Sequence, residues 1–431
     1  MRRVFEIGVM VSVLFVGLVS SAFADFQSGL NAYHSKDYVK AFVELKPLAK
    51  KGDARAQTWI GVMLQHGQGT QENKVEAVEW YRKAATQGHV LAQSHLGVSY
   101  LNGMGIQKNI AQAIKWMTKA ADQGHSQMQF VLGHFFAAGK GVEQDYAKAV
   151  SWLRKAAMQG EPLAQQELGE LYKNGKGLEK NIEEATKWFR KSAENGVPEG
   201  QHNLGLIYYF GQGVQRNHSE AAKWFRRASK QGVPAAQFIL GAMHSEGEGV
   251  NKDTVKAVRW YLAAAQQGHS LAQFFIARAY DKGEGVQQNY PKALKWYAEA
   301  ANQEIASAEY YLGVMHQTGR GVSVSKELAI KHFRRGAILG DAKAQSMVGS
   351  LMKKGTHADY AEAFMWYQKA ANQEDAVGQY HLYQAYRFGA GVKRDTFKAL
   401  IWLRKSAWNG HSDAQEELGN MHKLRMQLLS I

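Results

Sequence analysis

Sixteen histidines and a series of G-x-G tripeptides are the first places to look for chemistry in this 431-residue chain. Imidazoles paired with carboxylates at helical spacing would make a metal site. Glycine turns that open a helix would cradle phosphate. Neither pattern is complete. His89, His125, His269 and His411 each follow a glycine directly, and no H-x-x-x-H pair with a carboxylate partner accompanies them. The G-x-G turns lack a preceding strand and a third glycine, and they recur along the chain, which argues against nucleotide binding. No G-x-S-x-G elbow appears, and no S-x-x-K with companion motifs. Cysteine is absent, so there is no thiolate site, disulfide or lipid-modified N-terminal cysteine. The expectation is a protein with no catalytic group, no cofactor and no metal.

What spaces these residues is a repeat. "EAVEWYRKAATQG" (76–88), "KAVSWLRKAAMQG" (148–160), "EATKWFRKSAENG" (184–196) and "EAAKWFRRASKQG" (220–232) share one pattern. Trp80, Trp116, Trp152, Trp188, Trp224, Trp260 and Trp296 follow one another at intervals of 36 residues. A fixed period in this range signals stacked supersecondary units. Residues 125–160 show how one unit is built. Leu132, Gly133 and Phe136 share a helical face, and Gly139-x-Gly141 breaks that helix. Asp145 caps a second helix, in which Ala149, Trp152, Leu153, Ala156 and Ala157 form a stripe. Gly160 ends it. Two short helices cannot bury such a stripe alone, so neighbouring units must cover it. The tryptophans are expected to be largely buried between helices.

The segment "AQSHLGVSYLNGMGIQKNIAQAIKWMTKAADQGH" (92–125) resembles a Sel1-like repeat, a relative of the tetratricopeptide repeat with a longer glycine loop. Units read at 53–88, 89–124, 125–160, 161–196, 197–232, 233–268, 269–304, 305–340, 341–374 and 375–410. The resemblance implies an all-α fold: a right-handed superhelical α/α solenoid of about ten helix-hairpin repeats with terminal caps. Residues 25–52 read as an N-terminal capping helix pair, and 411–431 as a C-terminal capping helix with a poorly ordered tail from Arg425. Some units depart from the pattern. His332 stands at a tryptophan position, Glu304 and Glu374 replace the closing glycine, and Ala277 and Tyr383 replace the glycine of "LG". Some cysteine-rich members of the family were named as β-lactamases, but this chain has neither their cysteines nor a serine site.

Residues 1–24 read as a secretory signal: a basic "MRR", a short apolar run and "AFA", with cleavage expected after Ala24. No other stretch could span a membrane, so none is expected after its removal. Apolar residues at 45% and only 5 prolines describe a folded, helix-rich chain. The net charge is +15. Arginine-lysine pairs after the tryptophan, such as Arg154-Lys155 and Arg190-Lys191, continue a basic stripe with Lys115, Lys187, Lys223, Arg259 and Lys295 before it. A solvated helix face is one reading, and attraction to an anionic envelope surface is the other. The export signal argues against nucleic acid.

In tetratricopeptide arrays the first helix of each unit lines a concave groove. The repeat register carried over from them puts Phe130, His202, Tyr209, Phe238, Phe274, Arg278, Tyr310 and Tyr380 in that groove as partner-binding candidates. Phe238, Phe274 and Tyr310 would form a ladder, one rung per unit, suited to a protein or peptide partner. The alternative is that these rings pack against the next helix. The resulting expectation is an exported periplasmic or secreted scaffold for protein–protein interaction, in the bacterial envelope or with a host. The alternatives from other classes are a cell-wall or β-lactam hydrolase and a periplasmic regulatory subunit of a membrane sensor.

Overall fold

The computed structural model describes residues 25–352 and 357–429. The leader and its cleavage after Ala24 lie outside the described residues. Among the described residues all regular secondary structure is helical, and no helix is long and apolar enough to cross a membrane. A short helix at 25–34 and the helix Tyr38–Lys50 precede the repeats. From there leading and following helices alternate, nearly all of them 13 residues long, as in Ser126–Ala138 and Tyr146–Met158. The chain divides into two compact units, one ending at Arg216 and one beginning at Asn217. Within each unit, every leading helix packs on its own following helix and on the following helix before it.

The turns follow from the residues that make them. Gly139 sits at φ +67°, a left-handed conformation that costs glycine nothing, and its N–H bonds the Phe135 carbonyl. The chain then returns with Asp145 N–H donating to the Phe136 carbonyl at 2.9 Å. Asp145 Oδ1 accepts from Lys148 N–H at 2.9 Å and so caps the following helix, as its spacing predicts. The second glycine of each G-x-G has a further task. A Cβ built on Gly105 would lie 2.0 Å from the Lys74 carbonyl oxygen, at the start of the previous following helix. The loop is therefore a docking point between successive hairpins, which is why the G-x-G pattern recurs without any phosphate chemistry.

The core corrects the expectation for the tryptophans. Trp80 and Trp224 are buried, but Trp116, Trp152, Trp188, Trp260, Trp296, Trp366 and Trp402 are partly exposed. The deepest position is the next residue: Tyr81, Met117, Leu153, Phe189, Phe225, Tyr297 and Leu403 are all fully buried. The "LG" glycine faces it, and a Cβ on Gly169 would meet the Phe189 ring at 2.7 Å. The tryptophan instead closes the junction with the preceding unit. Trp152 lies against the cluster of Ala113, Met117 and Leu132, and Trp188 against that of Leu153 and Leu168. Its outer face is roofed by the cation three residues on. Lys155 Nζ stands 4.2 Å from the Trp152 centroid, and Lys191 Nζ 4.4 Å from that of Trp188.

One buried amide per hairpin ties the layers together. Gln165 donates to the Ala157 carbonyl at 3.2 Å and accepts from Asn195 at 3.0 Å, so it spans two successive following helices. Gln93, Gln129, Gln273, Gln345 and Gln379 make the same two bonds in their own units. At the other end of the chain, the last helix reaches into the segment read as a tail. The helix Ser412–Leu429, 18 residues in all, runs on past Arg425. No glycine pair interrupts it, and leucine, lysine, arginine, methionine and glutamine all favour its continuation.

Candidate functional site

The eight groove candidates fall into both units. In the first unit Phe130 is half-buried against the Leu153–Leu168 cluster, with its ring 6.3 Å from His134. His202 is half-buried, and burial, with Lys173 nearby, holds its pKa below the usual imidazole value. Tyr209 stands edge-on to Phe210 at 5.1 Å. Phe130 lies on the helix Ser126–Ala138, whereas His202 and Tyr209 share the helix Pro198–Phe210 two hairpins further on.

In the second unit the rings connect. Phe238 lies 5.8 Å from Tyr261, 5.7 Å from Phe275 and stacked 4.8 Å from His269. Phe274 repeats the arrangement against Tyr297 and Tyr311, both at 5.9 Å, and Tyr310 against Phe333 at 5.9 Å. Each rung is thus shared: one side packs on the deep ring of its own hairpin, and the other side is left partly open. Tyr380 stacks on His411 at 4.3 Å.

Phe274, Arg278 and Tyr310 line one open cavity of about 610 Å³. Ser307, Tyr311, Asp341, Lys343 and Asp375 complete its polar wall. The two aspartates are already engaged. Asp341 accepts from Ser307 at 2.8 Å and caps the helix Ala342–Met352 through Ala344 N–H at 2.8 Å. Asp375 accepts from Ser346 at 2.6 Å and from Gly378 N–H at 2.7 Å. Arg278 differs. Its Nε is buried without an acceptor, and its guanidinium stands 5.8 Å from the Phe275 ring. The cavity therefore offers two aromatic faces, an arginine whose Nε has no acceptor, and a rim lysine.

The residues missed at first share one register position, the one just after the closing turn. There His89 bonds Thr58 at 2.8 Å, His269 stacks on Phe238, and Asp375 accepts from Ser346. The position looks like a turn consensus in sequence, yet it meets the groove rung of the unit before. The basic stripe also has structural partners. Arg154 donates to the Tyr172 hydroxyl at 2.9 Å and Arg190 to that of Tyr208 at 2.7 Å, while Lys187 and Lys223 pair with Glu184 and Glu220.

These hairpins match a described family ten times over: the Sel1 repeat is found at 54–89, 90–125, 126–161, 162–197, 198–233, 234–269, 270–304, 306–341, 342–375 and 376–411. The chain belongs to the Sel1 repeat family. Two solved Sel1-type structures are similar over most of it. One is a protective antigen present in uropathogenic Escherichia coli strains, with 36% identity over 88% of this chain and 82% of that one, at a TM-score of 0.81. Another is a Sel1 repeat protein from Oxalobacter formigenes, with 34% identity over 72% and 90% of the two chains, at 0.55. A Rattus norvegicus protein, DAP3-binding cell death enhancer 1, is 35% identical over 79 residues, which spans 16% of its length. Sel1 repeat proteins generally mediate protein–protein interactions, and their solenoid is a typical non-catalytic scaffold.

One Sel1 repeat, 306–341, has exchanged its amide bridge for charge. Glu309 stands at the glutamine position and is 1% exposed. His332, at the tryptophan position, meets Glu309 Oε2 through Nδ1 at 2.7 Å. Arg335 Nε lies 3.0 Å from Oε1, off the line of a hydrogen bond. His316 stacks on His332 at 5.4 Å and 7°. Leu339 occupies the place of the partner glutamine, so the departures occur together. The buried carboxylate is thus met by an imidazole in the tryptophan's place and by Arg335, the cation that most repeats carry at that position.

Proposed function

We propose that this Sel1 repeat chain is an exported scaffold that captures a protein segment in the leading-helix groove of its second unit. The observation that carries the reading is the cavity where Phe274, Arg278 and Tyr310 converge, with the Arg278 Nε buried and without an acceptor. Buried arginine and tyrosine dominate the energetics of protein interfaces because each covers a large rigid area. Support for export comes from the basic and apolar leader with "AFA" before Asp25, and from similarity to a chain described as a protective antigen. A protective antigen meets the host, which favours an envelope or secreted address for this chain too.

The test is a crosslinking pull-down from envelope extracts with the wild type and an Arg278→Glu, Lys343→Glu double variant. The variant should capture at least tenfold less partner at an unchanged melting temperature. Equal capture by both proteins would move the binding surface elsewhere. Replacing Phe238, Phe274 and Tyr310 together by serine is a poorer probe. Their shared packing predicts a loss of melting temperature along with any loss of binding. N-terminal sequencing of the exported protein should begin at Asp25, and retention of Met1 would sink the leader reading.

A further inference from the structure

The last following helix of the array carries a face that no other repeat has. Along Thr396–Trp408, the side chains of Phe397, Ile401, Arg404 and Trp408 recur at i, i+4, i+7 and i+11 and so share one side. That side is open: Phe397 is 76% and Trp408 91% exposed. In other repeats the Ile401 position holds Lys115, Lys187, Lys223, Arg259, Lys295 and Lys331, with the apolar Met365 in the repeat just before. The Trp408 position holds Thr86, Asp122, Glu194, Lys230, Gln266, Asn302 and Asn372 in most repeats, and the exposed Met158 and Ile338 in two. Single apolar residues occur at one or other position in earlier repeats, but only the last helix is apolar at both. An exposed large apolar patch is the informative departure in a water-facing surface, whereas a single exposed leucine is not.

Charge narrows what can cover it. Lys393, Arg394, Lys398, Arg404 and Lys405 flank the row and are exposed, against Asp395, which pairs with Lys398 at 3.7 Å. A second copy of the chain would bring the same positive face and be repelled. The apolar side chains project outward in a row from a single helix, with the cations at the same level. Tryptophan and phenylalanine at the boundary between charge and hydrocarbon are what a headgroup layer accommodates. Anionic lipid attracts a cluster of lysine and arginine beside it. We propose that the face Phe397–Ile401–Trp408 docks on an anionic lipid surface. This surface is distinct from the groove, and its test does not depend on the groove reading.

The chain has no cysteine, so one introduced thiol reports from one place. The full chain with Trp408→Cys, labelled with a polarity-sensitive nitrobenzoxadiazole dye, is mixed with vesicles of phosphatidylcholine alone or with added phosphatidylglycerol. Met158→Cys is the control, because Met158 is 74% exposed at the same position of an earlier repeat. The label at 408 should shift to the blue and brighten several-fold with phosphatidylglycerol vesicles only. About 0.5 M salt, where screening acts within a few ångströms, should reverse the change. Adding Phe397→Ser should weaken the response roughly tenfold at an unchanged melting temperature, since that ring is solvent-facing. No shift at 408, or an equal shift at 158, overturns the proposal. A shift that appears on concentrating the protein without vesicles assigns the face to a second copy and overturns it as well.

Discussion

Glu304 and Glu374 close their turns at φ +61° and +63°, where the other units use glycine. The left-handed region brings a side chain's Cβ against the following carbonyl. Glu304→Gly and Glu374→Gly should therefore each raise stability, by roughly 0.5–1 kcal/mol after the extra freedom glycine gives the unfolded chain. A denaturant midpoint that falls on either change would contradict the strain. The same scale separates two adjacent aromatics. Phe189 is fully buried under Gly169, so Phe189→Ala should cost about 3–5 kcal/mol. Trp188 is partly exposed beneath Lys191, so Trp188→Ala should cost markedly less, on the order of 1–2 kcal/mol. The 36-residue tryptophan period was plain in the sequence. That the next residue lies deeper was not, because adjacent residues on a helix differ by 100° and only the neighbouring hairpin decides which of the two is covered.

At the scale of the element, two glycines with nearly the same conformational need have different neighbours. Gly88 sits at φ +91° with open space around its missing Cβ, so Gly88→Ala meets backbone strain alone and should cost about 1 kcal/mol. Gly105 sits at φ +68° against the Lys74 carbonyl, so Gly105→Ala should cost several times as much by pushing two hairpins apart. Thermal melts of the two variants side by side would check the ordering, and equal losses would remove the docking role of the loop. The buried glutamine bridge makes a matching case. Gln165→Leu leaves the Ala157 carbonyl without its bond and Asn195 without its acceptor, at a cost of about 1–3 kcal/mol. Helix boundaries and the Asp145 cap were legible in the sequence because caps and glycine stops are local. The glutamine bridge was not, because its partners lie 8 and 30 residues away.

At the scale of the molecule, histidines couple stability to pH. Burial, and then neighbouring histidines, hold His95 down at about 4 against an ordinary 6.5. Burial also lowers His89, His125, His202, His269 and His316. A folded imidazole that resists protonation leaves the unfolded chain binding more protons, so stability rises with pH. The contribution is full above pH 6.5 and is lost as pH falls from there toward about 4, where His95 alone accounts for about 3 kcal/mol. The melting temperature should drop steeply across that window, and His95→Gln should flatten part of the fall. A melting temperature constant from pH 7 to pH 4.5 would rule this coupling out.

The repeat, its helices and its turns could be read from sequence alone, since each depends on residues within one 36-residue period. The family followed from the same spacing. The role of the groove rungs needed the tertiary structure. Phe238, Phe274 and Tyr310 share a register, but only packing shows each set against a core ring, and only Phe274 and Tyr310 at an open cavity. Asp341 and Asp375 enter that cavity from the next two hairpins, a juxtaposition no local pattern encodes. The exposed row ending at Trp408 is the same lesson reversed. Its spacing matches that of a buried stripe, and only the absence of a covering helix among the described residues turns it into a surface. Period and propensity determine which elements form; what lies across from each side chain is decided when the hairpins stack.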